Sequence, residues 1–173
     1  MDNLIVREAN IGDVSGIAKI HVETWQYAYR GQLPDAFLDS LSIEKRQKVW
    51  REELSNPQSN VKIYVGEIES KIVGFCSLGK SRDDDADESM GELYAIYIDS
   101  HYMNSGIGSA LIQKGLEYLK DVGFKKATLW VLTSNKKTRM FYEHKGWSAG
   151  GKTKTDQREG FVLHETRYTI DLG

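Results

Sequence analysis

One stretch limits what this chain can build more than any other. It runs Tyr94-Ala95-Ile96-Tyr97-Ile98-Asp99-Ser100-His101-Tyr102-Met103-Asn104-Ser105-Gly106-Ile107-Gly108-Ser109-Ala110-Leu111. It reads as a buried strand, a short loop and a Gly-x-Gly turn that opens directly into an amphipathic helix. The first amides of such a helix have no internal partner, and the helix dipole places partial positive charge there. Glycine lets the main chain approach a ligand with no Cβ in the way. Strand, glycine turn and helix together form an anion cradle, which suggests a phosphate-bearing ligand. Two familiar cradles fail on spacing. Gly108 is followed by Ser109-Ala110 rather than the Lys-Ser/Thr of a P-loop, and the third glycine of a dinucleotide fingerprint would fall on Leu111.

The 173 residues, with 40% apolar content, suit a single domain spanning 1–173 with a substantial core. A net charge of -2 argues against a nucleic-acid-binding surface. The single cysteine, Cys76, excludes an internal disulfide and sits in the apolar run Ile72-Val73-Gly74-Phe75-Cys76, where it reads as a small buried hydrophobe. His21, His101, His144 and His164 show no metal-ligand spacing, so no metal is expected. No signal-peptide apolar segment and no run of membrane-spanning length is evident, so the expectation is a soluble cytoplasmic protein without membrane contact.

Along the chain, helix and strand patterns alternate. Leu4 to Arg7 is a short strand, and Asp13 is placed to cap a helix carrying Val14, Ile17, Ile20 and Val22. Pro34 opens a second helix, expected to run to about Leu54. Val61–Ile68 and Lys71–Leu78 flank Glu69-Ser70 as a hairpin, and Glu92–Ile98 is the next strand. The glycine-led helix stops near Gly123; the strand Ala127–Leu132 then leads to Asn135, which can cap a helix ending at Gly146. Phe161-Val162-Leu163 and Arg167–Ile170 read as one or two closing strands. The order β-α-α-β-β-β-α-β-α-β-β defines a mixed α/β (α+β) fold with an antiparallel meander.

The segment Gly91–Leu111, together with Asn135–Trp147, resembles the acetyl-CoA-binding core of the GNAT superfamily of N-acetyltransferases. The family's Q/R-x-x-G-x-G/A signature falls on Met103-Asn104-Ser105-Gly106-Ile107-Gly108. Its Asn-then-Tyr signature, with a Gly-aromatic stop, falls on Asn135, Tyr142, Gly146 and Trp147. The order of elements matches over nearly the whole chain.

The resemblance implies acetyl-CoA as cosubstrate. Ile96, Tyr97 and Ile98 would pair with pantetheine and aim an amide at the acetyl carbonyl. Asn104, Ser105, Gly106, Ile107, Gly108 and Ser109 would wrap the pyrophosphate. Asn135 would reach the pantetheine arm, and Tyr142 would protonate the departing thiolate. Met103 stands where the family carries Gln or Arg, and no Lys or Arg occurs between Asp99 and Gln113, so the phosphates would rest on backbone amides and the helix end. On its own, without the resemblance, Tyr142 within Met140-Phe141-Tyr142 reads first as a core residue.

Glu92 lies six residues before Ile98, where some family members carry a general base. Strict alternation would put Glu92, Tyr94, Ile96 and Ile98 on one face of their strand, aiming the carboxylate at the reacting centre. The alternative is a solvated strand end.

The acceptor wall in the family comes from the first two helices. Here it is aromatic, and Thr24-Trp25-Gln26-x-Ala28-Tyr29-Arg30-Gly31 resembles a bacterial subgroup that includes polyamine and small-amine acetyltransferases. Trp25 and Tyr29 would suit an alkylammonium by cation–π contact, or would form a helix face packed on the sheet. The acidic run Asp83–Glu88 would either attract a cationic substrate or form a solvated loop tip.

The implied function is acetyl transfer to a primary amine by direct attack, with a small molecule such as a polyamine as acceptor. A homodimer is compatible with the resemblance. A protein N-terminal or lysine acetyltransferase and a non-catalytic acyl-CoA-binding module are the alternatives.

Overall fold

The computed structural model describes residues 3–158 and 160–173. Among these, seven strands make one sheet. They are β1 (Ile5–Glu8), β2 (Lys62–Ile68), β3 (Lys71–Lys80), β4 (Met90–Ile98), β5 (Lys126–Leu132), β6 (Ser148–Arg158) and β7 (Phe161–Asp171), in the spatial order β1-β2-β3-β4-β5-β7-β6. All neighbours run antiparallel except β4 and β5, which are parallel. The mixed α/β class expected from the element order is what the chain adopts.

Helices α1 (Val14–Ala28) and α3 (Ile43–Ser55) cover one face, burying Val14, Ile17, Ile20 and Trp50 against Val65 and Phe75. Helices α4 (Ile107–Asp121) and α5 (Lys136–His144) belong to the other, where Leu111, Leu119 and Tyr142 pack with Cys76, Leu129 and Tyr168. Cys76 is fully buried, and burial pushes its thiol up to about 12, so it serves as packing.

Three local expectations change. The helix expected from Pro34 to Leu54 is two helices, α2 (Asp35–Ser40) and α3, because Leu41 turns extended and Ser42 starts a new helix by accepting a hydrogen bond from the Lys45 amide at 3.2 Å. Asp13 makes no side-chain cap on α1. Its carboxylate instead receives both Arg7 guanidinium nitrogens, at 2.8 and 2.9 Å, and the Asn10 amide at 2.8 Å. The closing strands also differ. Phe161–Asp171 is one strand, and its partner β6 is the polar segment Ser148–Arg158, exposed along nearly its whole length at the sheet edge. An edge strand wet on both faces carries no apolar alternation to reveal it.

The central strand β4 is held from the α1 side by an aromatic stack. His21 on α1 lies parallel to Tyr97, with centroids 5.2 Å apart, and its Nδ1 accepts a hydrogen bond from Trp50 Nε1 at 3.1 Å. Burial pushes the imidazole pKa down to about 3, so the ring is neutral in the fold. An unfolded histidine titrates near 6.5, so acid favours the unfolded chain below that pH. Stability should therefore fall as pH drops from about 6.5 toward 3, by about 1.4 kcal/mol per pH unit from this group. In denaturant titrations across this range, His21→Gln should be less stable at pH 7 yet show a visibly shallower acid slope.

Candidate active site

Between β4 and β5 the sheet opens. The two strands pair only at Met90–Glu92 with Lys126–Thr128. Beyond that point β4 stays paired with β3 and β5 with β7, so each is anchored on its outer side while the inner edges part. The gap is the mouth of a cavity of about 680 Å³, walled by Leu93–Ile98 from β4, Leu129–Leu132 from β5, the α4 N-terminus and α5. Backbone polar groups on a parted edge must find partners elsewhere, which makes the edge a template for an extended, amide-bearing ligand.

A bulge accompanies the opening. Ser77 faces Ala95 and Leu78 faces Leu93, which leaves Tyr94 as an extra residue in β4. Bulges bend a strand and increase its twist. Tyr94 swings across β3 and donates its hydroxyl to the Lys80 carbonyl. Gly79 permits this, since a Cβ there would stand 2.8 Å from the Tyr94 hydroxyl and 2.9 Å from the Asn60 carbonyl.

The bulge also corrects the strict alternation expected for β4. Residues opposite each other across two strands share a face. Glu92 opposes Gly79 and Tyr97 opposes Phe75, whereas Ile96 opposes Cys76 and Ile98 opposes Gly74. Glu92 therefore shares the α1 face with Tyr97 and lies opposite Ile96 and Ile98. It is 4% exposed and lies outside the cavity wall. Its Oε1 accepts from the Arg82 amide at 2.9 Å, and its Oε2 lies 3.4 Å from the Arg82 guanidinium, which stacks on Tyr94 at 3.8 Å from the ring centroid.

The other residues expected to bind acetyl-CoA or the acceptor, and Tyr142, line the cavity, in three zones. The first is the cradle. Gly106 takes φ +84° at the α4 N-cap, a left-handed conformation that side chains resist, and no side chain caps the helix there. Ala110 is the first residue of the helix whose amide bonds back, to the Gly106 carbonyl at 3.0 Å, so the amides before it remain available to an anion. Ser105 donates its hydroxyl to the Tyr102 carbonyl, which fixes the loop. No Lys or Arg occurs between Asp99 and Gln113, but Lys137 on α5 and Lys145, just past its end, line the same cavity.

The second zone is the middle of the gap. Asn135 caps α5 by accepting from the Thr138 amide at 3.3 Å. About two turns further on, Tyr142 is packed by Phe141, Trp147 and Tyr168. Its ring packs in the core, and it also lines the cavity. Burial raises the phenol pKa well above its usual value, which keeps the hydroxyl protonated.

The third zone is an aromatic chamber on the α1 face. Trp25 and Tyr29 meet edge to face at 4.9 Å between centroids, and Trp25 Nε1 donates to the Tyr97 hydroxyl at 2.9 Å. Both rings line the cavity and pack beside Leu33 and Leu38. Sequence reasoning missed the floor of this chamber, which comes from β6 and β7 through Arg158, Leu163 and Glu165. Their placement depends on the register Leu132↔Glu165 and Lys154↔Glu165, which no local pattern encodes.

The acidic loop after β3 is neither a lure nor a free tip. Arg167 on β7 binds Asp83 at 3.1 Å and Asp85 at 2.8 Å, Lys152 binds Asp85 at 2.8 Å, and Trp130 Nε1 donates to Asp83 at 2.8 Å. The loop is stapled over the sheet and holds Arg82 in place behind Glu92.

With this geometry established, comparison with known proteins identifies the class. The model of the acetyltransferase (GNAT) family matches residues 17–147. An uncharacterised N-acetyltransferase of Bacillus subtilis strain 168, YuaI, is 34% identical over 139 residues, covering 80% of this chain and 76% of that protein. The chain belongs to the GNAT family and is an acetyl-CoA-dependent N-acetyltransferase. A spermidine N(1)-acetyltransferase of Thermoplasma acidophilum is 25% identical over 145 residues, covering 82% of this chain and 86% of that protein. In fold, the chain resembles the PaiA N-acetyltransferase of Thermoplasma acidophilum, solved in complex with coenzyme A. The TM-score is 0.75 at 19% identity, over 97% of this chain and 98% of that one. Among the described residues, no helix is long and apolar enough to cross a membrane.

The cradle yields two separable outcomes. An added Cβ at Gly106 would meet nothing within 4 Å, so Gly106→Ala should cost only the left-handed backbone penalty, about 1–2 kcal/mol in unfolding. An added Cβ at Gly108 would touch Phe141 at 3.5 Å and Ile98 at 3.8 Å, at the cavity wall. The branched side chain of Gly108→Val would then occupy the ligand's space, and calorimetry should show acetyl-CoA affinity reduced at least tenfold in a folded protein.

Proposed function

We propose that this chain transfers the acetyl group of acetyl-CoA to a small primary amine, of which a polyamine is the type, by direct attack within the gap between β4 and β5. The observation that carries the reading is that gap. It joins a cradle of free amides at one end to an aromatic chamber at the other, and Tyr142 stands between them.

In this reading the cradle amides of Asn104–Ser109, with Lys137 and Lys145, hold the phosphates. The parted edge at Ile96–Ile98 pairs with the pantetheine arm, and Asn135 supports that arm. One β4 amide faces the thioester oxygen and stabilises the charge that gathers there as the amine adds. The bond from nitrogen to the carbonyl carbon forms, the carbon–sulfur bond breaks, and the sulfur takes the Tyr142 proton. Burial keeps the phenol protonated at neutral pH, so it holds a proton for the sulfur as the carbon–sulfur bond breaks. Holding both reactants in one gap supplies the orientation that a second-order reaction in water lacks.

Three features support a small alkylammonium as acceptor. The chamber is lined by Trp25, Tyr29 and Tyr97, whose ring faces attract a cation. Its floor carries a carboxylate, Glu165. A relative of similar length is named as a spermidine acetyltransferase.

Release of CoA thiol should be measured with a panel of polyamines, amino acids, aminoglycosides and peptides. Turnover is expected with spermidine or a related diamine, and turnover confined to peptides would favour the protein-directed alternative. Tyr142→Phe keeps the ring packed and removes the proton donor. It should lower kcat by about 10²–10⁴-fold, the usual range for an acid–base group, with acetyl-CoA affinity little changed. Wild-type kcat in that variant would leave Tyr142 as core alone.

A further inference from the structure

Resting on the small-amine reading, we propose that Glu165 on β7, rather than Glu92 on β4, is the catalytic residue that receives the acceptor's ammonium group and takes its proton. Two carboxylates stand near the chamber, and their surroundings differ. Glu92 is buried outside the cavity, and both of its oxygens are engaged by Arg82. A carboxylate so placed is already compensated and has no path to a substrate proton. Glu165 lines the cavity itself, half-buried on its floor. Among the described residues, no side chain or amide donates a hydrogen bond to its carboxylate, and no cation stands within ion-pair distance.

The charged groups around Glu165 are committed elsewhere. Lys154 on β6 sits directly opposite in register, but its Nζ lies over the Trp130 ring, 4.3 Å from the centroid. Arg158 on β6 pairs with Asp156 at 2.9 Å. From β4, Glu92 faces Glu165 as a like charge. From α1 and β4, Tyr29 and Tyr97 line the same cavity, and burial raises both phenol pKa values, so both are neutral. Burial first, then the like charges of Asp156 and Glu92, raise the Glu165 pKa above its ordinary value, while Lys154 and Arg158 oppose the rise.

A partly desolvated carboxylate without a partner is unfavourable in the free protein, and an alkylammonium supplies what it lacks. Tyr29 and Tyr97 line the same cavity, so one chamber offers the cation ring faces and a counter-charge. A raised pKa brings the group nearer to one that can accept a proton at neutral pH.

The proton balance closes. Bound R-NH3⁺ gives one proton to Glu165, which passes it to solvent. The neutral amine adds to the thioester carbon, and the carbon–sulfur electron pair leaves on sulfur, which takes the Tyr142 proton. The second nitrogen proton returns to Tyr142 through water. The products are the acetamide, CoA-SH and one proton released.

The test compares wild type, Glu165→Gln and Glu92→Gln with spermidine from pH 5.5 to 10. Acetyl-CoA affinity and thermal melting serve as controls for folding. Wild-type kcat/KM should rise through the Glu165 pKa and level off. Glu165→Gln should lose that step, fall about 10²-fold or more at pH 7, and keep rising toward the pKa of the amine, so that its deficit shrinks in alkali. Glu92→Gln should keep the wild-type profile. If Gln at 165 disturbs folding, Glu165→Asp should retain the acidic step at reduced kcat. A wild-type profile and rate in the Glu165 variants, or transfer of the whole effect to Glu92→Gln, would overturn the assignment of Glu165 while leaving the acceptor reading intact. Acetyl-CoA binding without wild-type turnover of any amine would overturn the small-amine reading itself, and this assignment with it.

Discussion

The parting of β4 from β5 governs what the rest of this fold is for. A parallel pair in the middle of a sheet ordinarily keeps its hydrogen bonds along the whole length, because unpaired backbone groups in an interior are costly. Here the pairing ends after Glu92 and Thr128, and the two strands are held open by their other neighbours. Tyr94 adds a residue to β4 at the point of divergence, and Gly79 leaves the space that residue needs. The strain of an open sheet is offset where it is braced. α1 presses His21 and Trp25 on Tyr97 from one side, and α4 fills the other with Ile107 and Leu111. The gap is therefore a cleft with strands along its sides and the loop before α4 at one end.

Each end of the cleft inherits its chemistry from this arrangement. At one end the chain leaves β4, turns through Gly106 and enters α4, so the free amides of a helix meet the open edge of a strand. At the other, α1 lays aromatic rings across the sheet, and β7 contributes Glu165 beneath them. The stapled acidic loop belongs to the same design. Asp83 and Asp85 are neutralised by Arg167 and Lys152, and Trp130 is oriented by Asp83, so the negative charge near the chamber that remains uncompensated is that of Glu165.

How far the site was legible depends on how local each part is. The cradle was legible because its requirements are written in consecutive residues: glycine where φ is positive, then apolar positions at helical spacing. Asn135 and Tyr142 were legible because a cap and a residue two turns later fall on fixed sides of a helix. Glu92 shows the limit. The alternation argument was sound for a regular strand and failed because one bulge, invisible in the order of residues, reverses the faces on its far side. Glu165 and Arg158 lay beyond reach altogether, since β6 is polar along its length and signals no strand, and only pairing with β7 brings its residues under the chamber.

From the amino-acid order alone followed the fold class, the family, the anion cradle, the helix that carries Tyr142 and the aromatic segment ending in Tyr29, because each depends on contacts within a turn or two of the chain. Tertiary structure alone decided that β4 and β5 part, that Tyr94 bulges, that Arg82 and the Asp83 loop occupy Glu92, and that β7 places a second carboxylate in the chamber. The physical reason is that register and strand divergence are settled by summed hydrogen bonding and packing between distant segments. A shift of one residue there moves a side chain from one face of the sheet to the other without altering any local preference.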